Sequence, residues 1–276
     1  MAVDSRYRAD VEAILSHRYD AGADYWTTPD KKLLVGAPFS AYNSALMLLE
    51  IGLPPADPVL RAVAELFFST WQEDGRFRLY KSVGYPCLMA NAAYLLCRLG
   101  YQADARIQKT LQWLLNNQYG DHGWRCNKFS FGHGPETECS NPMPTLTALN
   151  AFRFTSYLNN EPALDGAVDF LLKHWVIRQP IGPCHYGIGS LFMQVEYPFG
   201  NYNLFQYVYV LSFYDRAKQD ERFREALAAL QNKLVGGRIV VERVVPKLAR
   251  LAFCKKGEPS ELATKRYQEI MDNLAG

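Results

Sequence analysis

The sequence predicts an all-α fold of stacked helical hairpins, and three observations predict it. First, a pattern repeats. Gly36-Ala37-Pro38 is followed by Asn43, Ala45, Leu48 and Gly52, and Gly84-Tyr85-Pro86 by Asn91, Ala93, Leu96 and Gly100 at the same places. Matches at a fixed offset mark stacked supersecondary units. Second, segments that are apolar nearly all round alternate with segments that carry one apolar stripe and one charged face. The first kind suits a helix buried on every side and the second an outer helix. Third, the four segments of the second kind that each follow an inner one open on an acid, which the positive end of a helix dipole favours.

Taken in order, RADVEAILSHRY predicts an orphan outer helix near 6–17. The first inner helix spans 39–51, after the Gly-x-Pro, and Gly52 ends it where a left-handed backbone is cheap. Asp57 opens an outer helix over 58–71. Pro86 starts the inner helix 86–99, because the nitrogen there has no partner to lose. Asp104 opens 104–118, the inner segment PTLTALNAFRFTSYL covers 144–158, and Glu161 opens 162–175. NYNLFQYVYVLSFY makes the inner helix 200–214, and Asp220 stands at the start of the outer helix 219–233. A final helix over 259–273 is capped by Ser260 after Pro259. The result is one domain over 1–276: a leading half unit, four hairpins and a C-terminal helix.

Composition narrows the function. At 49% hydrophobic and 21% charged, the chain has the make-up of an ordinary globular protein. A net charge of +2 is too balanced for a nucleic-acid or anionic-membrane partner. The N-terminus lacks the apolar stretch of a signal peptide, and no apolar run is long enough for a bilayer span. The six cysteines are dispersed, which predicts free thiols and a reducing, cytoplasmic compartment.

Loops that join an outer helix to the next inner one emerge at one end of such a stack. Side chains distant in sequence therefore converge at a common mouth. These loops include QEDGRFRLYKSVG, QYGDHGWRCNKFSFGHG and the long VIRQPIGPCHYGIGSLFMQVEYP. Trp113-Leu114-Leu115, Gln118 and Gly123-Trp124 give an aromatic-Leu-Leu-x-x-Gln step leading to Gly-Trp. Gln72, Gly75 and Phe77 give a degenerate copy, and Phe170-Leu171-Leu172 a fragment. Over about residues 10–240 this resembles the repeat of the prenyltransferase and squalene-cyclase superfamily. The resemblance implies an α/α toroid, here a small or incomplete ring of hairpins around a central cavity, with a homodimer as one way to complete it. It also implies an isoprenoid-like apolar ligand. The Asp-x-Asp-Asp protonation motif of triterpene cyclases and an Asp-Asp-x-x-Asp magnesium motif are both absent.

Four constellations are candidates for chemistry. Cys126, Cys184 and His185, with Cys139 or His133 as a fourth, make a thiolate and imidazole set suited to zinc. Trp124-Arg125-Cys126 and Cys184-His185-Tyr186-Gly187 faintly resemble lanthionine-cyclase ligand motifs, and protein prenyltransferases also use zinc to activate a thiol; the alternative is loop residues with free thiols. Tyr202, Gln206, Tyr209 and Phe213 keep the spacing of one helical face. They are expected to face the cavity, with Tyr85 and Trp124 near its mouth. Aromatic faces there would hold an isoprenoid chain or stabilise a carbocation, unless they are a core stripe. Asn43, Asn91 and Asn203 recur in the inner helices, where they are expected to bond backbone or line the cavity. Arg76, Arg78, Lys81, Arg125, Lys128 and Arg178 are mouth cations that would hold the polar end of a ligand. Glu136, Glu138 and Glu196 are candidate catalytic acids, or partners for those cations. A non-catalytic scaffold that binds a partner on its concave face is the remaining alternative.

Overall fold

The computed structural model describes residues 3–79 and 84–276, and these are mostly α-helical. The helices are α1 (Arg8–Ser16), α2 (Ala41–Ile51), α3 (Pro58–Phe68), α4 (Pro86–Arg98), α5 (Ala105–Asn116) and α6 (Pro142–Phe152). They continue as α7 (Pro162–Ile177), α8 (Leu204–Leu211), α9 (Asp215–Lys218), α10 (Glu221–Gln231) and α11 (Glu261–Ala275). A two-stranded antiparallel ribbon, β1 (Leu234–Val235) with β2 (Arg238–Ile239), is the only sheet among the described residues. Isolated bridges such as Trp71 with Phe77 and Ile181 with Tyr186 make tight hairpin turns in the connecting loops. None of the described helices is long and apolar enough to cross a membrane.

The inner helices pack in sequence order: α2 on α4, α4 on α6, α6 on α8. Each is backed by the outer helix that follows it: α3, α5, α7 and α10. Every residue of α8 is buried, and α6 is buried along nearly its whole length. The acids that open the outer helices act as caps. Asp57, Asp104, Glu161 and Asp220 each accept a hydrogen bond from a backbone N–H of the first turn. Such a cap is worth about 1 kcal/mol. Gly52 and Gly100 adopt φ of 101° and 92°, as their place after α2 and α4 requires.

Three boundaries differ from expectation. Pro86 does open α4, but Pro38 follows a cis bond and lies outside α2, which Ser40 caps instead. The third inner helix stops at Phe152 rather than near 158, where the Thr155 hydroxyl turns back onto the Phe152 carbonyl. The fourth begins only at Leu204. Asn203, a poor helix former, is its cap and accepts from the Gln206 N–H at 2.9 Å. Asn203 is therefore not equivalent to Asn43 and Asn91.

α11 lies against α8 and reaches back to α2. Its Arg266 forms a two-pronged pair with Glu50 at 2.7 and 2.8 Å, joining positions far apart in sequence.

Candidate functional site: a central cavity with two unlike ends

The inner helices and the loops beside them line a cavity of about 680 Å³. Successive turns of each helix supply its wall: Asn43, Met47 and Glu50 from α2; Cys87, Asn91, Tyr94 and Arg98 from α4; Thr147 and Asn150 from α6; Gln206 from α8. These spacings follow the three-to-four residue period of one helical face. The first turn of α4 meets the loop before α6 through Cys87 and Cys126, and the last turns of α2 and α4 meet through Glu50 and Arg98; these contacts mark a loop end and a far end of the cavity.

At the loop end, Cys87 from α4 meets Cys126 and Cys184 from two different loops. The Cys87 and Cys126 sulfurs stand 2.8 Å apart, and the Cys184 thiol donates to the Cys126 carbonyl at 3.2 Å. That carbonyl also accepts from the Asn141 amide at 2.7 Å. Cys184 draws the Cys126 thiol down, but neighbouring Cys87 and burial push it up more strongly, to about 11. Cys126 and then burial raise Cys184 as well. Cys126 and Cys184 are therefore protonated thiols at neutral pH.

At the far end, Glu50 accepts from Arg266, from Arg98 at 3.2 Å and from the Tyr197 hydroxyl at 2.6 Å. Burial pushes its carboxyl up, but Arg266 and Arg98 outweigh that and hold it at about 2. Arg266 pairs also with Glu269, which accepts from the Tyr209 hydroxyl at 2.7 Å. A second cavity of about 440 Å³ lies beyond, and Arg98 lines both.

The sequence-predicted site residues divide across this arrangement. Asn91, Lys128, Tyr202 and Gln206 line the main cavity, as do Cys126, Cys184 and His185. Tyr209 and Phe213 do not; they line the second cavity with Arg153, whose guanidinium lies over both rings. The reason is the short α8, which places Tyr202 ahead of the helix and carries Tyr209 a full turn past the main cavity. Trp124 is a core residue, fully buried, donating to the Leu114 carbonyl and stacked on Phe152. Tyr85 is the N-terminal cap position of α4 and packs against the core beside the cavity.

The expected mouth cations are mostly engaged elsewhere. Arg76 pairs with Asp74, Arg125 bonds the Thr137 carbonyl and faces Glu138 at 3.6 Å, and Arg178 lies over Trp175. Lys81 lies outside the described residues. The cavity's own cations are Lys128, Arg98 and Arg243. Of these, Arg98 faces Glu50 and Arg243 faces Glu196 at 3.2 Å.

The candidate acids also separate. Glu136 and Glu138 are outside the cavity wall. Backbone N–H groups, foremost those of Glu136 itself and Gly134, lower Glu136, which does not suit a proton donor; His185 lies 3.8 Å from it. Glu138 is largely exposed. Glu196 is fully buried just behind the wall residues Tyr197 and Asn201, and burial raises its carboxyl against the pull of Asn201 and Arg243.

Zinc does not fit what is here. Among the described residues, no group of three His, Cys, Asp or Glu side chains is arranged to hold a metal ion. His185 turns to Glu136, and the Cys184 thiol is committed to a carbonyl. His174, the buried histidine, bonds the Tyr202 hydroxyl and the Gln179 carbonyl, and burial lowers it to about 4.

Sequence reasoning missed Glu50, Arg98, Arg266 and Cys87. A signal for the first two existed. Glu50 and Arg98 each stand two residues before the helix-ending glycine, charged residues inside apolar helices at matching places of the repeat.

Among the described residues, one side-chain atom of the cavity-lining residues is buried without a partner, the Gln206 Oε1. An acceptor left so costs about 1–3 kcal/mol. No family model matches the chain, and no curated protein matches it in sequence.

Proposed function

We propose that the inner and outer helices form a small α/α toroid whose central cavity binds an isoprenoid-like, mostly apolar small molecule through one neutral polar group. A cavity of about 680 Å³, in which Asn91, Thr147 and Gln206 stand among apolar and aromatic side chains, carries this reading. Its volume falls in the range of small-molecule sites, with apolar walls and a few polar groups. Leu46, Met47, Phe192 and Phe199 offer apolar contact, and Asn91, Thr147 and Gln206 offer hydrogen bonds. Arg98 and Arg243 are matched by Glu50 and Glu196, which favours a hydroxyl or amide over a diphosphate as the polar group. The polar group of the ligand would meet Asn91, Thr147 or Gln206, and the aromatic wall would lie along its chain.

Chemistry in this cavity would have to use few groups. Glu50 stays ionised and pinned, so it shapes the far end and does not donate a proton. Glu196, buried and raised, is the acid best suited to hold a proton near the wall. A solid scaffold that binds only on its outer surface has no use for such a cavity. Mass spectrometry of the purified full chain, native and then denatured, tests the reading. A small apolar molecule released only on denaturation supports it. A chain that carries none, and takes up neither farnesol nor geranylgeraniol when these are added, overturns it.

A further inference from the structure

We infer that Cys87 and Cys126 form a reversible disulfide at the loop end of the cavity. Their sulfurs are 2.8 Å apart. Two sulfurs bound to one tetrahedral zinc, each about 2.3 Å from the ion, would stand about 3.8 Å from each other. A disulfide needs about 2.05 Å. The observed separation lies between the two and inside ordinary non-bonded contact, closer to a bond than a shared metal ion would allow. The pair joins the first turn of α4 to the loop that follows Trp124. No side chain stands between the two sulfurs. Cys97 and Cys254 are buried and apart from this cluster, and Cys139 is outside the cavity wall.

Exposure sets the order of steps. Cys87 is partly exposed and Cys126 is buried, so an external oxidant meets Cys87 first. With a low-molecular-weight disulfide such as glutathione disulfide, Cys87 loses its proton to solvent and its sulfur attacks one glutathione sulfur. The glutathione S–S bond breaks, and one glutathione leaves and takes up a proton. Cys126 then loses its proton and attacks the Cys87 sulfur, which expels the second glutathione. Two protein thiols are oxidised and one glutathione disulfide is reduced to two glutathiones. The Cys184 thiol donates to the Cys126 carbonyl, whereas the Cys87 and Cys126 sulfurs face each other directly.

The test uses the full chain, reduced, then incubated with glutathione disulfide, alkylated, digested and mapped without reductant. The expected product is one cross-linked peptide pair joining Cys87 and Cys126, reversed by dithiothreitol. C184S should give the same cross-link. C126S should stop at a stable glutathione adduct on Cys87, and C87S should leave Cys126 unmodified. Circular dichroism on each variant confirms that it is folded. A persistent Cys87 adduct in the wild-type chain overturns the inference. So does a Cys126–Cys184 cross-link, or stoichiometric zinc lost in both C87S and C126S.

Discussion

The two ends of the cavity are built on opposite principles. The far end is saturated with charge. Glu50 alone is held by two guanidiniums and a tyrosine hydroxyl, and Arg266 ties α11 to α2 through it. The loop end holds thiols, amides and an exposed histidine, with few internal ion pairs. A cluster that has spent its charges on itself fixes shape. A lining of neutral polar groups, bonded mostly to backbone and to each other, leaves the shape less fixed by charge. The comparison separates residues that hold the inner helices and α11 together from residues that under the proposed function would meet a ligand, although both kinds line one cavity.

The largest expected effect lies at the far end. Arg266→Ala leaves Glu50 buried with less than its full complement of cations. Removing one partner of a buried pair costs about 3–5 kcal/mol, and chemical denaturation should show a loss of that size. The equivalent loss at the loop end should be absent.

Acid should act at the far end too. Glu50 is held at about 2, below its ordinary value of 4.5, so its ionisation favours the folded state at any pH above that ordinary value. As pH falls from about 4.5 towards 2, a contribution of about 3 kcal/mol is lost. Stability measured across that window in wild type and Glu50→Gln should diverge, with the variant flatter. Parallel curves would mean that Glu50 is not the group responsible.

Tyr209→Phe removes the hydroxyl that bonds Glu269 and should cost about 1–2 kcal/mol, because the acceptor is charged. It should leave ligand uptake by the main cavity unchanged, since Tyr209 lines the other one. A loss of uptake would join the two cavities into one site and blur the comparison.

Gln206→Leu sharpens it from the other side. The variant deletes an unpaired buried acceptor, so the ligand-free chain should gain about 1 kcal/mol while ligand affinity falls. A thermal-shift measurement with and without farnesol reads both. Equal loss of stability in both states would make Gln206 a purely structural residue.

The sequence made the helices legible because each carries its own evidence: an acid that caps, a proline or glycine that bounds, an apolar face of set width. Asp104 and Gly100 say where a helix begins or ends without reference to anything distant. Part of the cavity wall was legible for the same reason, through Asn91, Tyr202 and Gln206. The far end was hidden because Glu50 and Arg266 lie at opposite ends of the chain and only packing joins them. Tyr209 and Phe213 were misplaced by a helix that starts four residues later than its apolar run suggests. Trp124, read as a mouth residue from the Gly-Trp step, is instead consumed by a backbone hydrogen bond in the core.

The central claim is that the main cavity takes an apolar molecule with a neutral polar group. Its most direct test is a calorimetric titration of the full chain with farnesol and with farnesyl diphosphate, repeated on Thr147→Trp, which puts an indole into the cavity from α6. The account predicts saturable binding of farnesol at one site, weaker binding of the diphosphate, and loss of both in the folded variant. Tighter binding of the diphosphate, or farnesol binding that the added indole leaves unchanged, would contradict it.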